Sequence, residues 1–371
     1  MNKFFITGGT GVVGSALVAE LCEKSDAELQ LLIRAKDDQD LARRRADMLK
    51  FWEIADGSAT ANRIVAFRGD VTLPNFGLTS AEYEIVATDT SHIIHSAAIV
   101  KMNLPLEEAR HSAVTSVKSI LELAEKCRRN GRLEKIDIVS TVGVSGLTPG
   151  LMPEEPMLKV EKFHNTYEAS KSEAERFIFA NQQDLPVTIH RPSMVVGHSH
   201  TGKIIHFQVF YHLCEFLSGR HTFGWIPKTE GVCLDTIPVD YVARAIVYSA
   251  LHPDETKGKI FHLCSGPEDA IPISALVSQV HQQLSGATPR AISAQIFRRG
   301  LPIMAWFVGE REKKALRNLP IFLDYLAFPQ QFSNKKSNAF LSRVGIGLST
   351  PASYLIKVLG YYLAVKALKK R

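Results

Sequence analysis

Three side chains in the middle of the chain have types suited to reducing a carbonyl by hydride transfer. Thr141 closes the run Val139-Ser-Thr141, and Tyr167 and Lys171 bracket the run Tyr-Glu-Ala-Ser-Lys. On a helix Tyr167 and Lys171 lie four residues apart and share a face, which brings an ammonium beside a phenol. A neighbouring cation favours the phenolate, so Lys171 is expected to lower the tyrosine pKa toward the working range of an acid–base catalyst. The lysine can also bond a nicotinamide ribose, and Thr141 can hydrogen-bond the reacting carbonyl.

Such a trio needs a hydride source, and the start of the chain is built to hold one. Thr7-Gly-Gly-Thr-Gly-Val-Val-Gly14 follows the apolar run Phe4, Phe5, Ile6 and precedes apolar residues at helical intervals, Ala16, Leu17 and Leu21. Strand, tight turn and helix stand in the order a dinucleotide cradle requires. Gly8 permits the turn, Gly11 lets the backbone approach a pyrophosphate, and Gly14 lets the helix pack close to the strand. Thr10, Val12 and Val13 complete the candidate cradle.

The elements that position these residues can be read in order. Leu29 to Ile33 forms a strand ending in Arg34, where an enzyme that reads a ribose 2′-hydroxyl usually carries an acid. A guanidinium there, with Lys36 behind it, suits a 2′-phosphate, so NADPH is expected rather than NADH. Arg43, Arg44 and Arg45 follow on a helix; Arg44 is read as a further phosphate or adenine contact, the others as a solvated face. Ile64 to Phe67 and His92 to His95 form two more strands, which place Asp70 and Val71 at the adenine. Ala97, Ala98 and Lys101 fall at the pyrophosphate and nicotinamide ribose. His92 and His95 are three apart on a strand and therefore on opposite faces, which fits core histidines rather than a metal site. Lys135 to Val139 delivers Thr141, a loop rich in Gly and Pro follows, and Asn165 to Ala180 forms the helix bearing Tyr167 and Lys171.

With these motifs in place, the chain resembles an extended short-chain dehydrogenase/reductase from Thr7 to about residue 250. The resemblance rests on the glycine loop, Gly69-Asp70, His95-Ser-Ala-Ala98, Val139-Ser-Thr141, Tyr167-x-x-x-Lys171, His190-Arg-Pro-Ser193 and Asp235-Thr-Ile-Pro-Val-Asp-Tyr-Val-Ala243. Within that superfamily it is similar to fatty acyl-CoA reductases and carrier-protein thioester reductases. The shared details are Leu31-Leu-Ile-Arg-Ala35, Gly69-Asp-Val-Thr72, Phe76-Gly-Leu78 and Tyr167-Glu-Ala-Ser-Lys-Ser-Glu-Ala-Glu175. What this implies is hydride transfer from NADPH to an acyl thioester, giving an aldehyde and, after a second transfer, a primary alcohol. Thr141, Tyr167 and Lys171 would be catalytic, with Pro192 and Ser193 at the cofactor. The substrate would be an acyl-CoA or an acyl group on a phosphopantetheine carrier protein. One departure stands out: many relatives begin a helix with Asn-Val-x-Gly-Thr, and this chain has Ala113-Val-Thr-Ser-Val117.

Composition agrees with this reading. A chain of 371 residues with 45% hydrophobic content can bury a large α/β core, a doubly wound parallel Rossmann sheet, and a smaller, mostly helical cap. The cofactor domain is expected over 1–196 plus about 233–265, with Lys259 to Cys264 returning to the sheet. The cap takes about 197–232 plus 266–371. A net charge of +6 suits phosphate-bearing ligands, and no nucleic-acid motif accompanies it. Five scattered cysteines without metal spacing, and an N-terminus that enters a strand at once, point to a cytoplasmic protein without a leader or a metal. Between Pro302 and Phe328, Trp306, Phe307, Phe322, Tyr325, Leu326 and Phe328 form an aromatic stripe that could be core, acyl tunnel or both. Pro351 to Arg371 is too interrupted to span a membrane; it reads as a helix packed on the cap, or as a basic-tailed helix resting on a membrane surface. Two other functions fit the same motifs: reduction or oxidation of a free carbonyl or hydroxyl on an apolar substrate, and NADPH sensing without catalysis. A nucleotide-sugar epimerase fits less well because of Arg34. Oligomeric state and acyl length are not legible.

Overall fold

A computed structural model describes residues 2–220, 222–229, 231–284, 289–306 and 330–368. Seven strands form one parallel sheet: β1 (Lys3–Thr7), β2 (Glu28–Ile33), β3 (Ile64–Arg68), β4 (His92–His95), β5 (Lys135–Val139), β6 (Val187–Pro192) and β7 (Ile260–Leu263). Their order across the sheet is β7-β6-β5-β4-β1-β2-β3. This is a doubly wound Rossmann sheet, and its order reverses between β1 and β4, where a crevice must open at the carboxyl ends. The strand expected at Lys259–Cys264 is β7, which pairs with β6.

Both faces of the sheet are covered, so most strand residues are buried, the apolar ones alongside polar side chains such as Gln30, Lys135, Asp137 and His190. Phe4 and Ile6 of β1 point into one core and Phe5 into the other. On the first side lie α1 (Val12–Lys24) and, contacting it, the helix Val239–Leu251. On the second lie α2 (Ser116–Arg129) and α3 (Thr166–Asn181). In α2 the buried stripe is Val117, Ile120, Leu121, Ala124 and Cys127, at helical spacing, and Lys126, Arg128 and Arg129 meet the negative end of the helix dipole. Asn165 starts α3 by accepting a hydrogen bond from the Glu168 amide at 3.0 Å.

A short π-turn, His111–Thr115, leads into α2. The loop between Thr141 and α3 is strapped by a distant part of the chain. Leu151 and Met152 pair with Gln331 and Phe332, and the Glu154 carboxylate caps the helix Lys335–Arg343 by accepting from the amides of Lys336 and Ser337, both at 2.8 Å. The last described helix, Pro351–Leu368, buries Tyr354, Leu355, Val358, Leu359 and Tyr362, and the Tyr354 hydroxyl donates to the Thr236 carbonyl at 2.8 Å. Its large apolar residues are thus mostly spent on the fold, and among the described residues no helix is long and apolar enough to cross a membrane. The aromatic stripe beyond Trp306 lies outside the described residues; Trp306 itself ends a helix and is exposed.

Candidate active site

The glycine loop leaves β1 and enters α1 as a cradle with no room for side chains. Gly8 has φ +76°, and a Cβ on it would stand 2.6 Å from the Ala97 amide nitrogen. A Cβ on Gly14 would stand 2.1 Å from the Gly8 carbonyl oxygen, so helix and loop touch backbone to backbone. Gly11 caps α1 without any side-chain hydrogen bond, and the first turn carries no acid. The positive end of the helix is therefore open to an anion, and a dinucleotide pyrophosphate fits it.

Around this cradle the other cofactor candidates take up the expected strand ends. Arg34 follows β2 and faces Asp70 beyond β3, with Nη1 3.9 Å from the carboxylate, and its side chain is largely exposed. Arg44 bonds Asp40 through Nε at 3.2 Å, and Arg43 pairs with Asp40 and Asp47. Arg45 donates to the backbone carbonyls of Ile64 and Ala61, a structural use rather than a solvated one. Val71 packs partly buried against the second core, and Lys101 is exposed. His92 stacks on Phe4 while His95 bonds Thr7, placing the two rings on opposite faces of the sheet. No cluster of metal-ligating side chains occurs among the described residues, and all five cysteines are free.

One cavity of about 300 Å³ brings the loop and the catalytic candidates together. Gly11, Val12, Val13 and Ala98 of the cofactor loops line it together with Thr141, Tyr167, Lys171, Pro192 and Ser193, and Phe210, Leu213, Val232 and Ile273 add apolar wall. Thr141 accepts from the Gly143 amide at 3.1 Å, which fixes its oxygen and leaves its proton for a second acceptor. Lys171 donates from Nζ to the Val139 carbonyl at 2.9 Å.

The electrostatics correct one expectation. The Tyr167 phenol is pushed up, not down: burial is the main cause, the Glu168 carboxylate adds to it, and a hydrogen bond with Thr141 opposes it. Lys171 is itself pushed down to about 8 by burial, offset in part by Glu175. Desolvation by the surrounding protein outweighs the help an ammonium can give, and that ammonium is turned toward a backbone carbonyl. The phenol thus stays protonated in this state, as a weaker acid than a free tyrosine.

Several contributors were not singled out from sequence. Glu168, next to Tyr167, is buried, and its carboxylate accepts from the His164 amide at 3.1 Å and meets the His164 ring at 3.0 Å. Glu175, one turn beyond Lys171, holds buried Arg191 with two contacts of 3.0 and 2.6 Å. Asp235 also lines the cavity; its carboxyl is pushed up to about 6 by burial, opposed by hydrogen bonds from Ser193 and the amides of Ser265 and Gly266. Each sits in a motif quoted for the resemblance; the fold places Glu168 and Asp235 in the cavity lining and Glu175 against Arg191.

Comparison with known proteins adds an independent line. The family model described as male sterility protein, an NAD-binding family, matches residues 6–246. Among solved structures the chain is similar to the terminal R domain from the myxalamid PKS-NRPS biosynthetic pathway, with 28% identity, 99% of this chain and 91% of that one covered, and a TM-score of 0.83. It also shares its fold with the reductase domain of a non-ribosomal peptide synthetase from Mycobacterium tuberculosis, at 21% identity, 99% and 92% coverage and a TM-score of 0.74. Curated relatives include the isonitrile lipopeptide synthase of Streptomyces coeruleorubidus, 27% identical over 72% of this chain and 18% of that protein. Glycine betaine reductase of Emericella nidulans is 28% identical over 70% of this chain and 20% of that protein. The chain thus spans a small part of these relatives' length.

Proposed function

The chain belongs to the male sterility NAD-binding family, within the extended short-chain dehydrogenase/reductases, and on that premise we propose that it is an NADPH-dependent reductase of acyl thioesters. The observation that carries this reading is a single cavity lined by the glycine cradle, the Thr141, Tyr167 and Lys171 trio and a set of apolar side chains. The 28% identical relative that superimposes over nearly the whole chain is a terminal R domain, which supports a phosphopantetheine-borne thioester as the substrate. A CoA thioester presents the same reacting group. The cofactor domain takes 1–196 plus about 233–265, and the cap takes the rest. Free thiols suit a cytoplasmic setting.

The glycine loop, Arg34, Asp70, Val71, Ala97, Ala98 and Lys101 would hold the dinucleotide, with Arg34 on a 2′-phosphate and Ser193 near the nicotinamide. Arg44 would contribute only on leaving Asp40. NADPH held there would supply a hydride to the thioester carbon. Thr141 orients the carbonyl oxygen, and Tyr167 donates its proton as negative charge develops there. Lys171 stabilises that charge and the phenolate left behind. The resulting hemithioacetal collapses to aldehyde and free thiol, and a second cycle on the aldehyde would give the alcohol. The test is stoichiometry: one free thiol should appear for each thioester consumed, and NADPH oxidation without thiol release would refute the proposal.

A further inference from the structure

A chain of hydrogen bonds through the buried His95 ring runs from the cofactor border to a turn that packs on the helix carrying the catalytic pair. The Ala97 amide donates to Thr7 Oγ1 at 3.3 Å, and Thr7 Oγ1 lies 2.8 Å from His95 Nδ1. On the other side of the ring, His95 Nε2 lies 3.3 Å from Ser116 Oγ, which donates to the Ala113 carbonyl at 3.0 Å. Thr7, His95 and Ser116 are all at most 1% exposed, so the two links to the ring are shielded from water.

The protons in this chain can run only one way. Thr7 has already accepted from Ala97, and among the described residues its hydroxyl proton has one acceptor, His95 Nδ1. Ser116 gives its proton to Ala113 and must therefore accept from His95 Nε2–H. The reverse tautomer would strand the Thr7 proton and take the Ser116 proton away from Ala113. The imidazole is therefore neutral and carries its hydrogen on Nε2. Burial, with the Lys171 charge adding to it, holds its pKa down to about 3, which agrees.

Each end of the chain meets the site. Ala97 packs against Gly8, where a Cβ would stand 2.6 Å from the Ala97 nitrogen. Ala113 belongs to the π-turn His111–Thr115, which packs against α3, the helix of Tyr167 and Lys171. Such a turn is unusual and often accompanies function. We propose that His95, as a fixed neutral donor–acceptor, is a positioning residue that with Ser116 holds the π-turn and ties the cofactor cradle to the catalytic helix. This rests on the reading of Tyr167 and Lys171 as the reducing pair.

Two measurements test it. In protein labelled with ¹⁵N-histidine, His95, assigned by its loss in His95→Gln, should show protonated Nε2 and bare Nδ1 from about pH 5 to 8. A proton on Nδ1, or an imidazolium in that range, would overturn the proposal whatever the activity. In kinetics, Ser116→Ala and His95→Leu should lower kcat on the order of ten- to a hundredfold while KM for NADPH holds, as expected when reacting groups are misplaced. His95→Gln, whose amide can accept and donate in the same order, should recover most of that loss. An unchanged kcat in folded Ser116→Ala would overturn the positioning role. A wild-type protein inactive on every thioester would instead refute the reductase reading, and the tautomer result would stand apart from it.

Discussion

Lys171 Nζ donates to the Val139 carbonyl at 2.9 Å, so the cation of the catalytic helix is anchored to the strand end that presents Thr141. One hydrogen bond thereby sets the spacing between the helix that carries the proton donor and the strand that orients the carbonyl. It also takes the ammonium out of water, at a cost to stability that bears on several experiments.

Removing the Tyr167 hydroxyl should abolish proton donation without disturbing the cradle. Tyr167→Phe is expected to lower kcat roughly 10²- to 10⁴-fold, with NADPH affinity, read by calorimetry, nearly unchanged. A comparable loss of affinity would place the hydroxyl chiefly in cofactor binding.

Lys171 should cost stability while serving activity. Its pKa falls from 10.5 to about 8 in the fold, so between these values the unfolded chain holds more protons. Stability contributed by this group therefore rises as pH climbs through that window and is lost as pH falls through about 8. At neutral pH the penalty is of order 3 kcal/mol, and Lys171→Met should raise the melting temperature while removing activity. In the wild type, kcat/KM should fall as pH rises past about 8 and the amine becomes neutral.

Arg34 should govern the choice between NADPH and NADH. Losing a charge-assisted fork to a phosphate costs about 1.5–3 kcal/mol, so Arg34→Ala should raise KM for NADPH by roughly ten- to a hundredfold and leave NADH little affected. Arg44→Ala breaks an exposed pair with Asp40 and should change either value by less than about threefold. Equal effects on both cofactors would remove Arg34 from the 2′-phosphate.

Gly14→Ala should fail at the cradle. The added carbon would stand 2.1 Å from the Gly8 carbonyl oxygen, so loop and helix must part. Dinucleotide binding should be lost in a titration, with a lower melting temperature. Retained binding would mean the loop can shift without cost.

Much of this was legible because the signals are local. The glycine loop, the strand ends at Arg34 and Asp70, and the spacing of Tyr167 and Lys171 each announce themselves within a few residues, and the parallel sheet follows from them. What was not legible depends on distance. Gln331 and Phe332 pair with Leu151 and Met152 in two-residue strands that leave no periodic trace, and Glu154 caps a helix far along the chain. Buried polar groups on β5 escaped notice for the same reason. Asp137 binds His190 at 2.8 Å and Ser249 at 2.6 Å, partners from another strand and from a helix. The direction of the Tyr167 shift is not legible in the sequence, because spacing reveals the nearby cation but not the desolvation of the phenol.

The most direct test of the central claim is a comparison of NADPH oxidation on acyl-pantetheine and acyl-CoA thioesters with that on matched free ketones. The account predicts that thioesters are turned over with release of free thiol, that ketones are not, and that Tyr167→Phe removes the activity. Turnover of ketones with no thioester reduced would contradict it and move the same cavity to free-carbonyl chemistry.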